Sequence, residues 1–405
     1  MNEMYFSLCL IILSGLLLGA LCKRMKLPAL LGMMAAGLLL GPYCLNWIDA
    51  QILDLSGLLR RVALLIILIR AGLNLKLADL KKAGRPALLL CFVPATFEIA
   101  GFLIFAPLLL HFSLAESAVL GCVMAAVSPA VVVPGMLEVM DHHYGQNRAI
   151  PQMILAGASA DDIYVLVLFS VFSQVAAQGH FDPAVLWRIP TSVGFGILGG
   201  ILCGYLLSLL FEKTKSGCGL SAQILILLAA GLGFYGLEDL LSGPVAFSGL
   251  IATMTAAMTL AARRPEDSAE IAGGFDQLWK AGEIFLFVLI GAAVNIPAAW
   301  NSLWINLLLI VLCLLIRSAG VLLCVSHTRL NWKEKLFCIV AYLPKATVQA
   351  AIGAIPLSMG LPGGQAILSC AVTAILFTAP AGATLIHFLY PKLLQQSDAA
   401  EDQTS

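Results

Sequence analysis

Apolar runs of membrane-spanning length recur from Met4 to Tyr390, separated by short polar gaps, and this repetition leaves the chain few folds to adopt. In hydrocarbon a backbone must satisfy its own amides and carbonyls, so such runs become helices. The gaps leave no room for a second folded domain of ordinary size, and the chain reads as one membrane unit in the lipid bilayer. Of 405 residues, 60% are hydrophobic and 11% charged, with mean hydropathy +0.96, which excludes a soluble domain. No basic residue precedes the run Tyr5 to Leu21, and no small-residue cleavage site follows it before Lys23 and Arg24. It therefore reads as a retained helix, not a signal peptide. The eleven cysteines lie singly in apolar segments, against a metal cluster or disulfide framework. Zero net charge argues against nucleic acid as a partner.

The pattern predicts an all-α integral membrane protein of about 13 transmembrane helices, with cores at 4–22, 29–45, 56–73, 86–110, 115–138, 151–178, 189–212, 221–240, 244–262, 278–297, 303–325, 336–357 and 364–390. If the loops alternate sides, seventeen Lys and Arg fall on one side and only Arg60, Arg61 and Arg188 on the other. The positive-inside rule then puts the amino terminus outside and the carboxyl terminus in the cytoplasm, as in a multi-pass protein of the plasma (inner) membrane. Arg70, Arg317 and Lys345 remain within the spans.

Laid over one another at an offset of about 215 to 221 residues, the two halves match: Ile69–Leu75 aligns with Ile290–Ile296, and Asn74 with Asn295. The same offset pairs the fifth span with the twelfth. Each carries proline in its middle: Pro129 and Pro134 in the first, Pro344 in the second. Both should break there, giving five-helix inverted repeats with two crossed broken helices. The expected division is an extra N-terminal helix (1–25), a first repeat (26–178, core half 86–178), linker helices (189–240), a second repeat (244–390, core half 303–390) and a tail (391–405).

Asp161 and Asp162 sit side by side about 17 Å into the sixth span. Ionised carboxyls at that depth cost several kcal/mol each, and chains keep them where an ion, a proton or a permanent partner uses them. Broken helices free backbone carbonyls and set half-helix dipoles against each other, so a cation can sit at mid-depth. A sodium ion wants five or six hard oxygen ligands, available from Asp162, Asp161, Ser128, Ser159 and Thr347. Asp162 ranks first. The two carboxyls point about 100° apart, so only one faces the cavity squarely. Cation binding needs the carboxylate and protonation discharges it, so the two compete for one site.

Glu98 and Arg317 both fall near the middle of their spans, 219 positions apart, and are expected to pair across the pseudo-twofold axis. Lys345, at the break of the twelfth span, is expected to offset the Asp pair in part. Arg70 is expected to snorkel. The charged stretch Arg263 to Glu283 is read as a connection, and His142 and His143 as solvated loop residues.

Ala126–Pro134, Ala158–Ile163 and Tyr342–Gly353 resemble the signatures of the NHA-type sodium/proton antiporters of the monovalent cation:proton antiporter superfamily, over about residues 10 to 390. The resemblance implies a homodimer with a scaffold domain and a six-helix core. It also implies sodium or lithium exchanged for protons by an elevator-like movement, no cofactor, Asp162 as main ligand and the Glu98 to Arg317 pairing. In electrogenic antiporters with an Asp pair, a lysine usually holds the place of Arg317, and arginine does not readily release a proton. Beside this reading stand a potassium/proton antiporter and a sodium-coupled organic anion symporter of the same architecture. No HExxH, GxSxG or clustered His and Asp supports an enzyme.

Overall fold

The computed structural model describes residues 3–25, 27–74, 84–178, 184–213, 219–241 and 247–396. Helices α1 (Glu3–Arg24), α2 (Ala29–Leu40) and α3 (Ala50–Asn74) come first. Then follow α4 (Gly84–Leu90), α5 (Val93–Leu110), α6 (Leu114–Ala125), α7 (Pro129–Asp141) and α8 (Ile150–Gln178). The middle of the chain forms α9 (Ala184–Lys213), α10 (Leu220–Leu240), α11 (Gly249–Arg263) and α12 (Pro265–Ala293). The last part forms α13 (Ile296–Val325), α14 (Trp332–Ala341), α15 (Thr347–Ile352), α16 (Ile355–Ser358) and α17 (Gly364–Leu393).

Seven stretches among the described residues are long and apolar enough to cross a membrane: Met4–Arg24, Gly84–Leu110, Leu114–Asp141, Thr191–Glu212, Leu220–Glu238, Ala299–Val325 and Gly364–Leu393. The chain is a multi-pass membrane protein.

Two interruptions shape the middle of the molecule. Between α6 and α7, Ala126 and Ser128 are extended, because the residue before a proline is driven out of the helical region and Pro129 starts the next half-helix at its first position. Pro134 lies within α7 without ending it. Between α14 and α15, residues 343–346 leave the helix around Pro344, which offers no N–H. Both leading half-helices open on a capping box, Ser113 with Glu116 for α6 and Asn331 with Glu334 for α14.

Two sequence expectations need correction. The run 86–110 is not one helix: it turns at Cys91 and Phe92, two residues before Pro94. The stretch Arg263 to Glu283 is no loop either, since α12 runs unbroken from Pro265, with Glu266 and Asp267 in its first turn favouring the helix dipole.

The main packing contacts sort the helices into two sets. In one, α2 and α3 lie along α12, and α11 joins α3 to α9 and α10. In the other, α13 lies along α5, α6 packs on α5 and α8, and α17 packs on α13 and α14. The sets meet chiefly through α8 and α15, the helices that carry Asp162 and Thr347.

Close approach of α2 and α12 depends on small residues. A Cβ on Gly37 would fall 1.9 Å from the Val288 carbonyl oxygen, and one on Gly291 2.2 Å from that of Met34. Gly57 has nothing within 4 Å. Gly37→Ala should therefore cost about 1–3 kcal/mol through forced separation of the two helices, whereas Gly57→Ala should be neutral or stabilising by about 0.5–1 kcal/mol. Thermal unfolding of the purified variants, compared with the parent, checks the contrast.

Candidate functional site: a buried charge cluster at two helix breaks

The two interruptions touch. The Ser128 N–H donates to the Pro344 carbonyl at 2.9 Å, and the Thr347 N–H reaches the Ser128 hydroxyl at 3.5 Å. Gln349 Nε2 donates to the carbonyls of Ala126 at 2.8 Å and Met124 at 3.3 Å. Carbonyls freed by one break are thus satisfied by groups from the other, as the burial of this region demands.

Five ionisable side chains converge here, all buried: Glu98 on α5, Asp161 and Asp162 on α8, Arg317 on α13 and Lys345 between α14 and α15. Arg317 is the hub. Its Nη1 donates to Glu98 Oε2 at 2.7 Å and to the Ala125 carbonyl, its Nη2 to Asp161 Oδ2 at 3.0 Å, and its Nε to the Tyr342 carbonyl at 2.9 Å. Asp161 Oδ2 also accepts from the Val127 N–H at 3.0 Å, inside the first break. Lys345 Nζ donates to Glu98 Oε2 at 2.6 Å and to the Ala126 carbonyl at 3.3 Å, and its own N–H is taken by the Thr378 hydroxyl at 2.9 Å.

Glu98 and Arg317 do meet, but their contact is one edge of a larger network. Lys345 bonds Glu98 and makes no direct bond to either aspartate among the described residues. The lysine stem reaches across the break to the glutamate already held by Arg317. Of the adjacent aspartates, Asp161 is engaged on one oxygen, while Asp162 is only 5% exposed and its Oδ1 has no hydrogen-bond partner among the described residues. Ser128 and Thr347 are buried at the junction of the breaks. The side chain of Ser159 lies outside the described residues.

Sequence reasoning passed over Tyr342, Gln349 and Thr378. Gln349 lies two residues after Thr347 in the same conspicuous segment, and a buried glutamine next to a helix break is itself a signal. Thr378 carries none, because its role depends on α17 lying against the second break.

Away from the centre, Arg70 pairs with Asp276 at the half-exposed end of α3. His142 contacts the Glu138 carbonyl at 2.8 Å, and His387 reaches the Glu138 carboxylate at 2.6 Å. Arg148 donates to the buried Glu334 at 2.8 Å, tying the segment before α8 to the start of α14.

Arg317→Ala would strand Asp161 and leave Glu98 to Lys345 alone, and removing one partner from a buried pair costs about 3–5 kcal/mol. Adding Glu98→Ala should recover part of that loss and no more, because Asp161 and Lys345 stay buried. A double-mutant cycle on thermal unfolding should show coupling of about 1 kcal/mol or more.

The family model described as "Sodium/hydrogen exchanger, transmembrane" matches residues 10–390. Sodium/hydrogen exchanger 9B2 of Mus musculus is 32% identical over 385 residues, covering 92% of this chain and 69% of that protein. Its Homo sapiens counterpart is 32% identical over 406 residues, covering 95% and 73%. In fold, the chain is similar to the sodium proton antiporter MjNhaP1 from Methanocaldococcus jannaschii at pH 8, with a TM-score of 0.84 at 19% identity, covering 96% of this chain and 99% of that one. With a match that leaves out only the two short ends, this chain belongs to the sodium/hydrogen exchanger family.

Proposed function

We propose that the protein is a secondary active transporter that exchanges Na+ (or Li+) for H+, with the two ions competing for the carboxylate of Asp162. Membership of its family makes it a cation/proton antiporter. What points to Asp162 is the charge balance of the buried cluster. Arg317 and Lys345 bring two positive charges, while Glu98, Asp161 and Asp162 bring three negative ones. Glu98 is held by both cations and Asp161 by Arg317, so the surplus charge rests on Asp162. A buried carboxylate with no permanent partner among the described residues must hold a proton or a cation.

In this reading, Asp162 and Asp161 bind the sodium ion, with Thr347, Ser128 and Ser159 supplying further oxygens. Protonation of Asp162 discharges the site, which then returns without the cation. If Arg317 and Lys345 keep their protons, one proton replaces one sodium ion. Carbonyls at the breaks around Pro129 and Pro344 let the ion lose water at mid-depth without facing an apolar wall.

We further propose that the set containing α4 to α8 and α13 to α17 moves as an elevator against the other. The limited contacts between the sets, chiefly through α8 and α15, support this, since the site then rides on the moving surface. The inverted repeat is supported by the bonds Glu98 to Arg317, Ala126 to Lys345 and Ser128 to Thr347, each joining residues 219 apart, as partners across a pseudo-twofold axis would be. With thirteen crossings, an outside amino terminus and a cytoplasmic carboxyl terminus, the protein would sit in the plasma membrane as a homodimer.

Proton movement in liposomes carrying the purified protein tests the assignment. Sodium or lithium added outside acid-loaded vesicles should alkalinise the lumen, with no response to a potassium/valinomycin clamp, and Asp162→Asn should abolish the signal while the protein stays folded. Exchange retained by Asp162→Asn would refute the ligand assignment. Response to potassium alone would favour potassium/proton exchange, and no response to any of the three cations would favour the organic anion symporter.

A further inference from the structure

Tyr342 is fully buried where α14 ends, and it touches the ion site by two routes. Its carbonyl, freed by the break, accepts from Arg317 Nε at 2.9 Å, and the guanidinium carbon lies 5.6 Å from its ring centroid. Backbone and ring together thus help hold the arginine whose Nη2 bonds Asp161.

The second route runs through the phenol. A Cβ on Gly157 would fall 2.1 Å from the Tyr342 hydroxyl oxygen, so the hydroxyl rests against the backbone of α8 at a position where only glycine leaves space. Gly157 and Asp161 are four residues apart, on one face of α8, with about 5–6 Å between such positions. Helical side chains lean toward the amino terminus, which brings the Asp161 carboxylate toward Gly157. The Tyr342 hydroxyl and Asp161 Oδ1 are both buried, and neither has a hydrogen-bond partner among the described residues. A phenol can donate and a carboxylate oxygen can accept, so one water molecule bound to both would satisfy the two groups.

We infer that Tyr342 is a positioning residue of the ion site: its hydroxyl, through one water, holds the free oxygen of Asp161, while its carbonyl and ring hold Arg317. Both oxygens of Asp161 are then fixed, and the carboxylate keeps one orientation beside Asp162 in which it can meet the transported cation. The inference rests on the proposed exchange at Asp162 and adds a residue to it.

The test is Tyr342→Phe in the full chain, which keeps ring and carbonyl and removes only the hydroxyl. Initial rates of sodium-driven proton efflux from liposomes would be measured over a range of sodium concentrations, beside the parent and Asp162→Asn, with thermal unfolding of each protein. Loss of one bridged hydrogen bond to a charged group should raise the sodium KM about fivefold or more, with maximal rate within about twofold of the parent and the melting temperature nearly unchanged. A KM equal to the parent's would overturn the inference. A large fall in melting temperature, or loss of folding, would make the hydroxyl a packing group and overturn it equally. If the parent moves no protons with sodium, or Asp162→Asn still does, the proposed function fails instead.

Discussion

A single guanidinium, buried where the two helix breaks meet, organises the charged centre. Arg317 holds two carboxylates and two backbone carbonyls, and in doing so ties α5, α6, α8 and α14 to α13. The planar fork suits the task, because it spreads one charge over several directed donors and is always protonated. Without it, the carbonyl at the end of α6 and the carboxylate of Asp161 would compete for the few donors the breaks provide. Burying so many polar groups is tolerable only because they satisfy one another.

Two neighbouring aspartates acquire different roles from this arrangement. Asp161 points into the network and is held by Arg317 and the Val127 amide. Asp162, turned about 100° along the helix, lies outside those bonds. The difference follows from helix geometry alone: adjacent residues cannot face the same partner. A pair that looks redundant in sequence thus divides into one acid bound into the network of charges and one outside it, which the proposed mechanism uses for exchange.

How much of this was legible beforehand varied with the physics involved. The helix breaks could be read because proline acts on the backbone locally, and Glu98 could be set against Arg317 because symmetry mates of the expected repeat would lie near one axis. Lys345 was harder. Its long stem lets the ammonium reach groups several ångströms from its Cα, so its choice of Glu98 over the aspartates depended on how the two breaks cross. The turn at Cys91 and Phe92 had a local signal in Pro94, masked by the strong hydropathy of the whole run. The start of α12 had one in Pro265 and the acids after it, discounted because a polar helix makes no hydropathy peak. Tyr342 opens the conspicuous segment Tyr342–Gly353, but nothing local gave its role, since its place against Gly157 is a matter of tertiary packing.

The account turns on Asp162 exchanging a proton for a cation, and sodium-binding calorimetry on the purified protein, run in buffers of different protonation enthalpy, reads that exchange without transport. It predicts that sodium binding releases about one proton per ion, and that Asp162→Asn abolishes both the binding and the release while the protein remains folded. Sodium bound without proton release, or bound equally well by the Asp162→Asn protein, would contradict it.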